Sequence, residues 1–426
     1  MSCLACRNTF VKVFDKLRLT FEINLKKLLI FYQHKRVLQI KNEKFAPIYF
    51  IIVILILPEL SLLVILAFCF LVQLYYVLFV HLKLATIKIE DIPPHARKPL
   101  SVIICARNEV VNLKNYLPVM LNQNYPDFEV VVVNDRSWDG TEELLEQFEK
   151  QYQNLKVVKI LDNDKFIAGK KFAVTMGIKA AKYDWLVFTD ADCIPASENW
   201  LMDMQQPEEK TEILLGYSPY LKRKGLLNAL IRFETFFTAV NYLSFALKGM
   251  PYMGVGRNMA YKKSLFFKKK GFAAHMHIPS GDDDLFVNAN ATPNNTAIRL
   301  HKDSHVWTEP NTSWTGYLKQ KKRHFGAGKM YKSKHKFILS VQIIFQFLFY
   351  AIFIACMCFS YELRYIALGI LGFSILIRCF IYPKLLKRLN YGDLRWWFPI
   401  LDILLFLFLT LNGFLAMFGR KKVNWK

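Results

Sequence analysis

Charge is nearly missing from four stretches of this chain. Residues 47–80 hold one acid, Glu59, and no Lys or Arg; 337–359 hold no charged residue; 365–382 hold only Arg378; 398–418 hold only Asp402. A helix needs about 20 apolar residues to cross a bilayer core, so these runs predict membrane spans and not the buried helices of a soluble protein. The first run lies too deep in the chain, and is too long, for the apolar core of a signal peptide. Acids are scarce as well: 34 Asp and Glu stand against 57 Lys and Arg, a net charge of +23. In a soluble chain that excess would raise nucleic acid as a partner. Here the basic residues sit beside the apolar runs (Lys26, Lys27, Lys35 and Arg36; Lys319, Lys321, Lys322 and Arg323; Arg420, Lys421 and Lys422). That placement follows the positive-inside bias and attraction to anionic lipid, which makes membrane lipids, and no nucleic acid, the expected partner. A disulfide framework is missing too. Four of the eight cysteines (Cys69, Cys356, Cys358, Cys379) fall in apolar runs, and Cys3 and Cys6 form a lone C-x-x-C. This usage fits a reducing, cytosol-facing domain. There is no internal repeat and no low-complexity tract.

What is present divides the chain into five parts. Residues 1–46 form a basic N-terminal segment, with Phe, Leu and Ile among Lys and Arg at helix-like spacing over 10–36, suited to lying on a membrane surface. Residues 47–82 predict a transmembrane helix, 99–335 a polar domain, 337–418 three further transmembrane segments, and 419–426 a basic tail. Within the polar domain, short β-branched runs at 100–105, 128–135, 155–161 and 184–189 alternate with helical stretches at 109–123, 141–153 and 170–182. That alternation predicts an α/β domain whose sheet is parallel or mostly so, with helices on both faces. Ligands of such sheets bind beyond the carboxyl ends of the strands.

The polar residues at those ends are Arg107 and Glu109 after the first run, Asp135 after the second, Lys170 ahead of the third helix, and Asp190 and Asp192 after the fourth run. A strand-end acid is ordinarily a helix cap or a solvated turn. Four polar clusters on one edge suit a nucleotide diphosphate instead. Asp135 can accept hydrogen bonds from a base, and Lys170 can neutralise a phosphate. The Asp190–Asp192 pair can divide between a ribose hydroxyl and a hard divalent cation, Mn2+ or Mg2+.

The motifs "VIICARNE", "VVVNDRSWDGT", "GKKFAV", "TDADC", "MGVGRNMAYKK", "SGDDDLFV" and "QKKRH", in this order over about residues 99–330, resemble the family 2 glycosyltransferases with a GT-A (Rossmann-like, nucleotide-diphospho-sugar transferase) domain. The flanking spans resemble those of the family's membrane-bound bacterial members. The resemblance implies that Asp135 contacts the base, Asp190 the nucleotide and Asp192 the metal. It implies that "GDDD" supplies the general base of an inverting transfer, Asp283 first and Asp282 second, and that Asp282 can alternatively be an N-cap. Gln320 and Arg323 match the family's Q-x-x-R-W element, which implies a diphosphate contact for Arg323 and site closure for Gln320. His324 stands where Trp is usual, a departure that speaks against extension of a long polymer.

The expected protein is a multi-pass enzyme of the cell inner (plasma) membrane with a cytosolic catalytic domain. It would move a sugar from a nucleotide-diphospho-sugar to a lipid-linked or membrane-proximal acceptor, assisted by a divalent cation. A processive polysaccharide synthase and a non-catalytic membrane scaffold retaining the fold remain as alternatives.

Overall fold

The structure is a computed structural model, and it describes residues 58–88, 97–161, 169–276, 278, 281–324, 327–359 and 361–418. The expected N-terminal segment 1–46, the first part of the expected span 47–82 and the basic tail 419–426 lie outside these residues.

Helix α1 (Glu59–Thr86) is the first described element and passes through a π-helical turn at Tyr76–His81. The polar domain then runs β1 (Leu100–Ala106), α2 (Val110–Leu121), β2 (Phe128–Asp135), α3 (Thr141–Gln151), β3 (Leu155–Ile160), α4 (Lys170–Ala180), β4 (Trp185–Asp190), β5 (Cys193–Pro195), α5 (Trp200–Met204) and β6 (Ile213–Leu215). It continues with α6 (Leu226–Leu247), β7 (Met259–Lys262), α7 (Lys263–Lys268), α8 (Asp284–Asn290), β8 (Thr296–Ile298), β9 (Val306–Thr308) and α9 (Trp314–His324). Three long helices follow: α10 (Ser333–Met357), α11 (Tyr361–Arg388) and α12 (Phe398–Phe418).

Seven strands form one sheet in the order β3-β2-β1-β4-β7-β6-β8, and β5 pairs with β9 in a small ribbon. Strands β1 to β4 are parallel, as the β-branched runs predict, whereas β7 runs antiparallel to both β4 and β6. The period of two in a strand sends alternate side chains to opposite faces. Ile103 and Val131 join one core with Val174 and Ile178 of α4, and Val102, Ile104, Val130 and Val132 join a second with Leu113 and Leu117 of α2 and Leu145 of α3. Helices therefore cover both faces.

Two glycines are required by this packing. Gly140 has φ +88°, a left-handed turn that starts α3. A Cβ on Gly177 would lie 2.8 Å from Ile103 and 3.0 Å from Val133, so only glycine lets α4 rest on the sheet.

Helices α1, α10 and α11 are long and apolar enough to cross a membrane; the apolar stretch of α12, Phe398–Gly413, is shorter. Polar groups between them are paired, as hydrocarbon demands. Arg378 donates to Asp402 at 2.6 Å and to Gln73, and Tyr350 donates to Asp402 at 3.2 Å. The core of the sheet domain is continuous with these helices. Phe233 and Phe236 of the buried α6 share a cluster with Tyr382, Leu385, Phe398 and Leu401. Tyr391, between α11 and α12, is fully buried, and its hydroxyl accepts the Tyr220 N–H at 2.6 Å.

Candidate active site

The carboxyl ends of β1, β2 and β4 carry the strand-end residues to one rim. Arg107 follows β1, and its guanidinium stands 5.6 Å from the exposed Trp138 ring. Asn108 adopts φ 57° and Arg136 φ 55°, backbone values that non-glycine residues rarely take. Cross-bonds lock the two loops: the Asn108 N–H donates to Ser137 Oγ at 2.9 Å and the Trp138 N–H to Asn108 Oδ1 at 3.0 Å. Glu109 accepts from Asn112 Nδ2 at 2.6 Å. Burial raises the pKa of Glu109 against that bond, and Asp192 and Asp190 raise it further.

Asp135 closes β2 and is 1% exposed. Asp190 closes β4 and accepts from Lys170 Nζ at 2.8 Å. The same ammonium lies 3.5 Å from Asp282. Burial opposes the charge on Lys170, but Asp190, Asp282 and Asp283 hold its pKa well above the usual lysine value. One lysine thus ties the β4 acids to the "GDDD" run, some 90 residues downstream in the sequence. A cavity of about 20 Å3 lies among Cys105, Lys170, Asp190, Gly256, Asp282 and Asp283, room for about one water.

Asp283 is the N-cap of α8, accepting its neighbour's N–H, that of Asp284, at 2.8 Å and the Gly256 N–H at 2.7 Å. The capping expected of Asp282 therefore falls on Asp283, because Gly281 turns at φ +85° and Asp282 instead reaches Lys170. Burial and then Asp282 raise the Asp283 pKa, against Lys170 and the two N–H donors. Burial and Asp283 push Asp284 up to about 7, although the Tyr331 hydroxyl donates to it at 2.8 Å.

Asp192 accepts a weak bond from Cys193 Sγ at 3.4 Å. Its pKa is raised by burial and by Asp190, and lowered by Arg257. Arg257 lies over the Tyr220 ring at 4.6 Å, and the Tyr220 hydroxyl accepts from Gln320 Nε2 at 3.2 Å. Gln320 is thus linked toward Asp192 through Tyr220 and Arg257, and its Oε1 accepts from Asn311 at 2.8 Å. Arg323 belongs to α9, and its side chain lies outside the described residues.

Residues 101–240 match the family model described as "Glycosyl transferase family 2". They form a glycosyl transferase family 2 domain. Glycosyltransferase AglE of Haloferax volcanii is 38% identical over 104 residues, 24% of this chain and 33% of that protein. Poly-beta-1,6-N-acetyl-D-glucosamine synthase of Staphylococcus epidermidis is 32% identical over 95 residues, 22% of this chain and 22% of that protein. The chain thus spans a third or less of the length of these curated relatives. Mannosyltransferase PcManGT of Pyrobaculum calidifontis, solved in complex with GDP-Man and Mn2+, superposes with a TM-score of 0.52 at 17% identity over 79% of this chain and 98% of that one. At that identity the likeness concerns the fold, which is GT-A.

In this glycosyl transferase domain the sequence reading missed Arg257, Tyr220, Asp284 and Tyr331. Arg257 had a signal, a lone base between the glycine-bearing stretch and β7. Tyr331 had none, being some 50 residues from Asp284 in the sequence. Among the described residues, Asp203, His301 and Asp303 form a further group that could hold a metal ion, with ligand atoms within 4.8 Å of one another. Asp192, the metal candidate of the sequence reading, is not part of it.

Proposed function

We propose that this chain is a membrane glycosyltransferase that moves a glycosyl group, with inversion, from a nucleotide-diphospho-sugar to a lipid-linked or membrane-proximal acceptor. The observation that carries the reading is the bridge by Lys170 between Asp190 and Asp282. It sets a phosphate-neutralising cation between a donor-side acid and the acids suited to base work. Domain 99–335 is the catalytic unit. It lies on the cytosolic face of the inner membrane, with spans 47–82 and 337–418 anchoring it as a multi-pass protein.

In this reading Asp135 accepts from the base, with Arg107 and Glu109 lining the nucleotide side, and Asp190 holds the ribose. Lys170 and Arg323 offset charge on the diphosphate, and Gln320 closes the site through Tyr220. Asp190 and Asp192 are hard oxygen donors, and burial first and then Asp190 raise the pKa of Asp192, a penalty on its charge that a cation would relieve. This donor set fits Mn2+ or Mg2+, with Asp192 as the holding residue. When bound, the cation stabilises the charge that develops on the departing diphosphate. Asp283 takes the proton of the acceptor hydroxyl, with Asp282 as the second candidate, while the acceptor oxygen attacks the anomeric carbon opposite the diphosphate. Both Asp283 oxygens accept backbone N–H groups, and each keeps a second lone pair for that proton.

The test is transfer or hydrolysis of labelled nucleotide-sugars by the full chain in detergent with a membrane lipid extract, with Mn2+ and then with EDTA. Turnover with metal and its loss with EDTA support the reading. No turnover of any donor would sink it in favour of a non-catalytic scaffold. Asp192→Ala should abolish turnover; Asp283→Asn should keep donor binding and lose transfer. The similarity to a named polysaccharide synthase supports processive synthesis as a second reading. Product size separates the two, since one sugar added per acceptor excludes a synthase.

A further inference from the structure

Asp135 uses only one side of its carboxylate. Its Oδ1 receives both Nε and Nη2 of Arg136 at 2.8 Å. Its Oδ2 is buried and has no hydrogen-bond partner. Buried acceptors are normally satisfied, so an orphan at a ligand rim marks a place where a ligand donates. The guanidinium is fixed on Oδ1 by its backbone. Arg136 sits at φ 55°, in a loop whose Ser137 is bonded to Asn134 on one side and Asn108 on the other. A non-glycine residue held in that conformation beside a site is the kind of strain that function retains.

The inference rests on the reading that this cleft takes a nucleoside diphosphate with its base at Asp135. We propose that the half-occupied carboxylate selects a base offering a single imide N–H, uracil or thymine, over guanine and cytosine. Guanine presents N1–H and the 2-amino group side by side, a pair that matches both oxygens of a free carboxylate. Here Oδ1 is filled, so the 2-amino group would face the guanidinium, donor against donor. Cytosine, seated as uracil would be, presents its N3 lone pair to Oδ2, acceptor against acceptor. The imide N–H of uracil meets Oδ2, and the carbonyls on either side of it are acceptors next to a donor guanidinium. Arg136 is thus a specificity residue that works by making the wrong base unfavourable as much as by favouring the right one.

Equilibrium binding of UDP, GDP, IDP and CDP to the full chain in detergent, with Mn2+ present, tests this. UDP should bind about tenfold or more tightly than GDP and CDP, the scale expected when a buried polar group is left mismatched. IDP, which is GDP without the 2-amino group, should bind more tightly than GDP. Arg136→Gly keeps the left-handed backbone without strain and frees Oδ1, so it should narrow the gap between UDP and GDP. GDP or CDP binding as tightly as UDP, IDP no better than GDP, or an unchanged ratio in Arg136→Gly overturns the proposal and leaves the glycosyltransferase reading intact. Failure of every nucleotide to bind overturns both.

Discussion

A carboxyl group with a raised pKa makes stability depend on pH in a definite direction. In the folded chain Asp284 is pushed from 3.8 up to about 7. Between those values the folded state keeps a proton that the unfolded chain has already released. Proton linkage then makes this group's contribution to stability fall as pH rises through that window and level off above it. Asp284→Asn, which cannot ionise and can still bond to Tyr331 and Leu285, should remove the slope. Melting curves in detergent at pH 4, 5.5, 7 and 8 should show the variant gaining on the parent up to pH 7. A constant offset would mean that the buried acid is not protonated in the fold. In the proposed reaction the same crowding would suit the "GDDD" run to base work, because a carboxylate with a raised pKa is a better base near neutrality.

Elements are held by shape as much as by charge. Gly177→Ala would press a methyl group on Ile103 and Val133, at 2.8 and 3.0 Å, and push α4 and its first residue, Lys170, off the sheet. Overpacking of this kind costs about 1–3 kcal/mol. Chemical denaturation should show a loss of that size, with weaker donor binding. The elements were also the most legible part of the sequence. The β-branched runs located β1 to β4 to within a residue or two, since parallel strands buried on both faces read as continuous apolar segments. Helix α6 went unread: Phe233, Phe236, Tyr242 and Leu243 bury it from several sides, and a helix apolar all round has no periodic stripe to find. Strands β5, β6, β8 and β9 are three residues each, too short for alternation to show. At the site, the strand-end acids were legible because topology sends them to one edge. The meeting of Lys170 with Asp282 was not, because it depends on the path of the chain between β4 and α8.

At the scale of the molecule, the helices fix a direction. Helix α10 starts at the sheet domain, where the Lys332 N–H donates to Asn288 at 2.8 Å. Helix α11 returns to it, with Asn390 just beyond its end bonded to His305 at 2.9 Å, and α12 leaves it from Phe398, whose ring lies 5.9 Å from Phe233. The end of α10 and the end of α12 therefore lie away from the sheet domain, on the outer side in the orientation proposed above. A variant retaining only the exposed Cys358 should react with a membrane-impermeant maleimide added to intact cells. Labelling that requires permeabilised cells would reverse the orientation. The helices are also clamped to one another. Arg378→Leu alone should leave Asp402 buried without its partner, at a cost of about 3–5 kcal/mol, and Arg378→Leu with Asp402→Leu should recover most of it. Thermal unfolding in detergent measures both.

The shared cluster of Phe233, Phe236, Tyr382 and Phe398 also sets a timetable for synthesis. The sheet and α6 leave the ribosome first, and the residues that cover α6 follow about 150 positions later. At ordinary translation speed that interval is on the order of ten seconds. Throughout it the part of α6 that Tyr382 and Phe398 later cover is bare, while Phe245 near its end already has Tyr76 of α1 beside it. In the membrane-bound protein proposed above, lipid would cover that part of α6 until α11 and α12 replace it.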